Sequence, residues 1–160
     1  MLDIEQGSLD HFLSKPVDVQ WSGFLKVLAE ELTAQMPASE AKAFFALLGR
    51  RWAQQMPLPA GGDLKALEKA ANTMFSACGW GWVRIRDLSN CVEFQHSCAP
   101  LRAAFGAESM SWTPGLLEGV YEEWLREQGA GRGLMLRMVG RVEGSADTVR
   151  FRLATSDYFA

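Results

Sequence analysis

The sequence predicts an α+β fold, in which N-terminal helices pack on a four-stranded, mainly antiparallel sheet that one further helix crosses. The prediction rests on the spacing of the apolar residues. In the first half of the 160 residues they recur every three or four positions, as on one face of a helix. From about residue 80 they alternate with polar residues, as in half-buried strands. One helical segment between two pairs of strands supplies the crossing helix.

Three N-terminal helices are predicted, with breaks at Pro37 and at the Pro- and Gly-rich run 56–62. Ser39 and Asp63 are expected to cap the second and third helices, because their side-chain oxygens accept hydrogen bonds from free N–H groups of a first turn. Cys78, on the third stripe, is expected to be a small buried residue. The three stripes are Trp21, Phe24, Leu25, Leu28 and Leu32; Phe44, Leu47, Leu48 and Trp52; and Leu67, Ala71, Met74, Phe75 and Cys78.

Four strands are predicted as two hairpins. Alternation over 80–86 and 92–96 is separated by a turn at Ser89-Asn90, and alternation over 134–141 and 149–153 by a turn at 144–147. Residues 97–111 are expected to be a loop. The glycine-rich run 129–133 follows a helix and precedes a strand, so it is interpreted as a plain connection and not as a phosphate-binding loop.

The crossing helix is predicted between Ser111 and Gly129. Thr113 is expected to cap its start and Gly129 to end it. Glu122 and Arg126 are spaced to form an ion pair on its polar side. Gly119 lies off the stripe, where alanine would stabilise the helix by about 1 kcal/mol, so it indicates either tolerated drift or close approach by another backbone. The apolar stripe consists of Leu117, Val120, Tyr121, Trp124 and Leu125.

Composition excludes several classes of function. The net charge of −3 gives no reason to expect a nucleic-acid partner, and no segment has the length of apolar sequence that spans a membrane. One domain is expected over 20–160, preceded by a tail over 1–19. The start has no basic and apolar leader, and three cysteines are an odd number, so a cytoplasmic location is predicted, with the periplasm as the alternative.

Residues for catalysis are sparse, and the sequence predicts neither an enzyme nor a bound cofactor. Cys91, His96 and Cys98 are close in sequence, but their spacing differs from that of zinc knuckles and a fourth ligand is not evident. No metal site is therefore predicted.

One face of the predicted sheet is rich in arginine and tryptophan, which are frequent in protein interfaces. Two interpretations stay open for it. The face is a subunit interface, or the arginines only solvate the sheet while the tryptophans cover the helices at a glycine junction where the alternation fails. Stacking of the tryptophans on sugar rings is a further possibility. By alternation the face includes Trp80, Trp82, Arg84, Arg86, Arg137, Arg141, Arg150 and Arg152.

Several segments, in order, resemble the D-subunit family of bacterial cellulose synthase, also called cellulose synthase operon protein D. The segment from Trp112 to Trp124, with its proline, Leu-Glu-Gly, tyrosine and second tryptophan, is similar to a motif of that family. Gly79-Trp80-Gly81 and Met56-Pro57 resemble two further family segments. Phe12 with Lys15-Pro16 resembles the family's short N-terminal tail.

The resemblance implies a noncatalytic accessory subunit of the cellulose synthase complex, which organises glucan export and so supports exopolysaccharide and biofilm formation. It implies a homo-oligomeric ring, an octamer built from dimers, with passages for β-1,4-glucan, and other synthase subunits and a proline-rich scaffold protein as partners. Gly119, Trp80, Trp82, Arg84 and Arg86 are then the candidate subunit contacts. The candidate glucan contacts of the tail are Asp3, Glu5, Asp10 and His11. The alternative is a small-ligand-binding or adaptor module, with the ligand between helices and sheet; a β-glucan hydrolase is a third hypothesis.

Overall fold

A computed structural model describes residues 17–160 and confirms the α+β class. Its α-helices and strands follow the predicted order, with one addition. Within the predicted loop 97–111 the chain forms a short helix and a 3₁₀ helix, Ala107–Ser111, because Leu101 and Ala104 are buried there. The elements are α1 (Val19–Gln35), α2 (Ala38–Gln54), α3 (Leu64–Cys78), β1 (Trp82–Asp87), β2 (Val92–Ser97), α4 (Leu101–Phe105), α5 (Gly115–Glu127), β3 (Leu134–Glu143) and β4 (Thr148–Thr155).

The four strands form one sheet in the order β1-β2-β4-β3, and every neighbouring pair is antiparallel. The central strands β2 and β4 place Phe94, Val149 and Phe151 toward the helices, and all three are fully buried. The opposite face of the sheet carries the polar side chains of the alternation and faces away from the helices.

An aromatic cluster fills the space between α5 and the sheet. Tyr121 of α5 packs against Phe94 and Phe151 with ring centroids 5.2 and 5.6 Å apart, and Trp124 packs against Phe75 of α3 at 5.2 Å. These rings occupy the volume in which the sequence analysis allowed a small ligand. The predicted stripe of α5 is buried in full, as expected.

The α2 and α5 helices touch backbone to backbone through small residues. A Cβ built at Gly119 would lie 2.0 Å from the carbonyl oxygen of Ala46, and one built at Gly49 would lie 2.0 Å from that of Leu116. No real Cβ stands so close to an oxygen, so only glycine fits at these two positions. The close approach predicted at Gly119 is therefore present, and α2 of the same chain makes it.

Local expectations fail where tertiary contacts compete with them. Thr113 is buried and donates its hydroxyl to the carbonyl of Ser109, so it does not cap α5. Pro37, and not the predicted Ser39, precedes α2.

The predicted ion pair of α5 and the predicted burial of Cys78 are also wrong. Arg126 pairs with Glu123, while Glu122 pairs with Arg50 of α2, and Cys78 is exposed. The cap at Asp63 is confirmed, with Oδ1 accepting from the N–H of Ala66 at 2.9 Å.

Polar side chains of the helices bind both edges of the sheet. On β1, the amide of Asn72 exchanges two hydrogen bonds with the backbone of Val83, and Glu68 accepts from the N–H of Ile85. On β3, Glu118 accepts from the N–H of Met138. These side chains occupy part of the edge backbone that would otherwise pair with another strand.

Candidate interaction surfaces

The first candidate surface is apolar and lies on α1 and α2. We call it the apolar helix face. Trp21 and Phe24 of α1 are 57% and 59% exposed, and Phe44 and Leu47 of α2 are 42% and 45% exposed. The face comprises Trp21, Phe24, Val27, Leu28, Phe44, Leu47 and Leu48.

The exposure of α2's stripe corrects the sequence analysis, which expected Phe44, Leu47 and Leu48 to face the core. In the folded chain α2 turns its small residues inward, with Ala46, Gly49 and Ala53 buried against α5. Because small residues let two helix axes come closer than leucines do, α2 packs on α5 through this side, which leaves Phe44, Leu47 and Leu48 outside while Phe45 and Trp52 pack against the core.

The α1 helix is attached to the chain by few residues. Among its 17 residues only Ala29 is buried, while Leu32 is half-buried in the same cluster as Phe45 and Trp112. Most helix stability in proteins comes from burying an amphipathic face. Within residues 17–160 the apolar stripe of α1 is therefore covered only in part.

The second candidate surface is the open side of the sheet, which we call the arginine face. The strand register places Arg86, Glu93, Arg152 and Arg137 in one row across the sheet, and Arg84, Gln95 and Arg150 in the next. The face is defined by Trp82, Arg84, Arg86, Arg137, Arg150 and Arg152. Arg141 lies beyond an irregularity in the β3–β4 pairing and lines a separate groove with Lys42 and Arg102.

A buried carboxylate fixes the centre of the arginine face. Glu93 is only 4% exposed, and it accepts from Arg86 Nη2 at 2.7 Å and from Arg152 Nη2 at 3.2 Å. Burial alone would raise the pKa of Glu93, but the hydrogen bonds from the two guanidinium groups outweigh it and the pKa is lowered. Glu93 therefore stays ionised and holds both arginines in place.

Two of the candidate subunit contacts, Trp80 and Gly119, pack against α2 of the same chain. Trp80 is half-buried and Gly119 is buried. Trp80 precedes β1 and stacks edge-on against Trp52 of α2, with centroids 4.8 Å apart. Gly81, with φ of +79°, breaks the alternation between Trp80 and Trp82, as the second interpretation required. Gly119 is buried against Ala46 of α2. Trp82, Arg84 and Arg86 lie on the open face as predicted.

The residues considered for zinc have other contacts. His96 is fully buried, its Nε2 donates to the carbonyl of Trp80 at 2.7 Å, and its Nδ1 accepts from the hydroxyl of Tyr121 at 2.5 Å. The Trp80 carbonyl can only accept, which fixes the proton on Nε2. Within residues 17–160 no group of histidine, cysteine and acidic side chains is arranged to hold a metal ion.

The candidate glucan contacts Asp3, Glu5, Asp10 and His11 lie outside the described residues, as does most of the predicted tail. Among the helices that the structure describes, none has both the length and the hydropathy needed to cross a bilayer.

Comparison with known proteins decides the family. The model of the family described as the D subunit of cellulose synthase matches residues 8–154. The chain belongs to the cellulose synthase D-subunit family. Two relatives from Komagataeibacter xylinus, both called cellulose synthase operon protein D, are 25% identical to it. One alignment spans 119 residues, or 73% of this chain and 74% of the relative, and the other spans 112 residues, or 69% and 72%.

Among solved structures, the chain is similar to a vinyl-4-reductase family protein from Methanocaldococcus jannaschii. The TM-score is 0.43 at 15% identity, over 98% of this chain and 99% of that one. A likeness at this level supports no functional argument for this member of the cellulose synthase D-subunit family.

Proposed function

We propose that this D-subunit family member is a noncatalytic accessory subunit of a cellulose synthase complex, which assembles with copies of itself and organises glucan export. The observation that carries the proposal is the apolar helix face on a chain of this family. Soluble monomers rarely leave large apolar patches exposed, and exposed apolar surface of this kind marks sites of association.

The apolar helix face suits contact with a second copy. The exposed stripes of α1 and α2 belong to every copy, so a two-fold contact brings the same surface from both chains together. Repeated through a further contact, such dimers build the closed ring of eight chains that we propose, with passages for β-1,4-glucan. Trp82, Arg84 and Arg86 remain candidates for a further contact of such an assembly, and Asp3, Glu5, Asp10 and His11 for glucan.

The proposal places the ring on the cytoplasmic side of the synthase, beside the other synthase subunits and a proline-rich scaffold protein. The odd number of cysteines supports this placement, because a framework of disulfides, typical of oxidising compartments, needs an even number. The noncatalytic role is supported by the chemistry of the buried groups. The buried His96 and Tyr121 bind each other and the backbone in a closed aromatic core, away from either surface.

The test separates polymerisation from assembly. The gene is removed from its host, and two quantities are compared with the parent strain: glucan synthesis by isolated membranes and the cellulose recovered outside the cells. We expect membranes to polymerise glucan at the parental rate while recovered cellulose falls severalfold, with recovery when the wild-type gene is restored. Loss of polymerisation in the membranes would contradict an accessory role, and parental cellulose outside the cells would contradict any role in export.

A further inference from the structure

The arginine face is strongly basic on an acidic chain. It carries five arginines and two glutamates, Glu93 and Glu143, and therefore a net charge of +3. The whole chain has a net charge of −3, so the rest of it carries −6. This separation of charge gives the open side of the sheet a positive field that favours an anionic partner.

All the cations of this face are arginines, and most are already held in position. Arg86 and Arg152 are fixed by Glu93, Arg150 pairs with Glu143 at 3.1 Å, and Arg137 lies over the ring of Phe159, 5.3 Å from its centroid. Arg84 is exposed and has no ion pair with the described part of the chain. Arg152 already donates to Glu93 and to the hydroxyl of Tyr158, so Arg84 and Arg137, which have no ion pair with the described residues, are the arginines that offer planar N–H pairs to a carboxylate.

The spacing of the arginines repeats every two residues along the strands. Arg84 and Arg86 on β1, and Arg150 and Arg152 on β4, are each separated by one residue, which is about 6.7 Å in a strand. Alternate side chains of an extended peptide have the same separation. Carboxylates at alternate positions of an extended segment would therefore meet successive arginines without a change of register.

We propose that the arginine face binds an extended acidic segment of a partner protein, with Asp or Glu at alternate positions. A shallow groove of about 290 Å³, lined by Trp82, Arg84, Gln95 and Arg150, gives such a segment an apolar contact beside the charges. The acidic balance of the rest of the chain disfavours broad polyanions such as a membrane or a nucleic acid, because they would also meet acidic side chains. The inference does not depend on self-assembly through the apolar helix face, but it competes with Trp82, Arg84 and Arg86 as a further subunit contact, and the mass of the double variant distinguishes the two.

The experiment uses labelled synthetic peptides and the full chain. Binding of a twelve-residue peptide with alternating Glu and Thr is measured by fluorescence anisotropy, beside a peptide with the same residues in two blocks and one with Lys in place of Glu. The variant Arg84→Gln with Arg137→Gln removes two charges that do not neutralise Glu93. Arg51→Gln, an exposed arginine of α2 on the helix side, is the matched control.

We expect saturable binding of the alternating peptide, weaker binding of the block peptide and none of the lysine peptide. The double variant should weaken binding about tenfold at low salt, as expected for two exposed charge contacts, with a melting temperature close to that of wild type. The control should stay within twofold, and added salt should weaken the wild-type complex.

Four outcomes of the binding measurements would overturn the inference, and a fifth comes from the mass of the double variant. The four are absence of saturable binding, equal affinity for alternating and block peptides, an equal loss in Arg51→Gln, or preference for single-stranded DNA or anionic phospholipid vesicles over the peptide. A fall in the mass of the assembled protein in the double variant would likewise assign the face to a second copy of the chain instead.

Discussion

At the scale of single residues, glycine determines how close two helices come. Gly49 and Gly119 lie opposite carbonyl oxygens of the facing helix at distances that admit no side chain. The sequence indicated an unusual role for Gly119, because glycine is a poor residue for the middle of a helix. It could not indicate which backbone approaches, since a facing helix of the same chain and one of another subunit leave the same trace in a sequence.

The glycine contact predicts a selective loss of stability. Gly119→Ala should lower the free energy of unfolding by about 1–3 kcal/mol, because α2 and α5 must move apart to admit the methyl group. Gly131→Ala is the control, since nothing lies within 4 Å of a Cβ at that position, and its effect should stay within about 0.5 kcal/mol. Urea denaturation followed by circular dichroism measures both, and equal stabilities of the two variants would contradict the packing described.

His96 is a buried neutral base in the core. Burial lowers its pKa to about 4, and the hydrogen bond to the Trp80 carbonyl offsets only part of that effect. In the unfolded chain it titrates near 6.5. Between these values the unfolded state binds more protons than the folded state, so stability is lost as the pH falls. The raised pKa of Glu122, due first to burial, acts in the opposite direction.

This linkage predicts an acid-sensitive fold. The free energy of unfolding should fall by about 2 kcal/mol between pH 7.5 and pH 5.0 through His96 alone. In His96→Gln the amide can donate and accept hydrogen bonds without titrating, so the variant should be less stable but should lose most of this pH dependence. Urea denaturation at both pH values makes the comparison. If the free energy of unfolding depended on pH as strongly in the variant as in the wild type, other titrating groups would be the cause.

At the scale of elements, the existence and type of the long helices and of all four strands follow from their periodicity. The faces that helices bury do not follow as simply. The stripe of α5 was predicted correctly because it meets a sheet, which accepts large side chains. The stripe of α2 was predicted correctly only at Trp52, because α2 meets another helix through Ala46 and Gly49 and turns Phe44, Leu47 and Leu48 outward.

For the surfaces, too, some positions follow from local sequence patterns and others do not. The face on which a strand residue lies follows from alternation, so Trp82, Arg84 and Arg86 were placed correctly on the open face. Alternation does not extend through a glycine in the left-handed region. Trp80 lies on the other side of Gly81, so its predicted position on the open face was wrong. The buried pairing of His96 with Tyr121 joins residues 25 positions apart, and no local pattern indicates it.

If the apolar helix face is the contact between copies, charges placed within it should abolish self-association, and charges placed elsewhere should not. Phe44→Glu with Leu47→Glu places two charges on α2 at exposed positions, so the chain should still fold but its self-association should be lost. Leu88→Glu with Leu134→Glu changes two exposed leucines outside the face and should leave assembly intact. Sizing chromatography and circular dichroism check mass and fold together. Loss of assembly in both double variants, or in neither, would show that the face is not the contact.

At the scale of the whole molecule, the helices, the core and the sheet form successive layers. Both edges of the sheet are bound by the helices, and the core between helices and sheet is filled with aromatic rings. Among the described residues two surfaces differ in chemistry, one apolar and one basic. An apolar surface suits permanent association with identical copies, and a basic one suits a salt-sensitive complex with a different chain.

The proposed role of this chain depends on its assembly with identical copies. Light scattering behind a sizing column gives the mass of the purified protein directly, without reference to shape. We predict a particle of eight copies of the 17.7 kDa chain, with dimers as the product of dilution. A single chain of 17.7 kDa at every concentration tested would contradict the account.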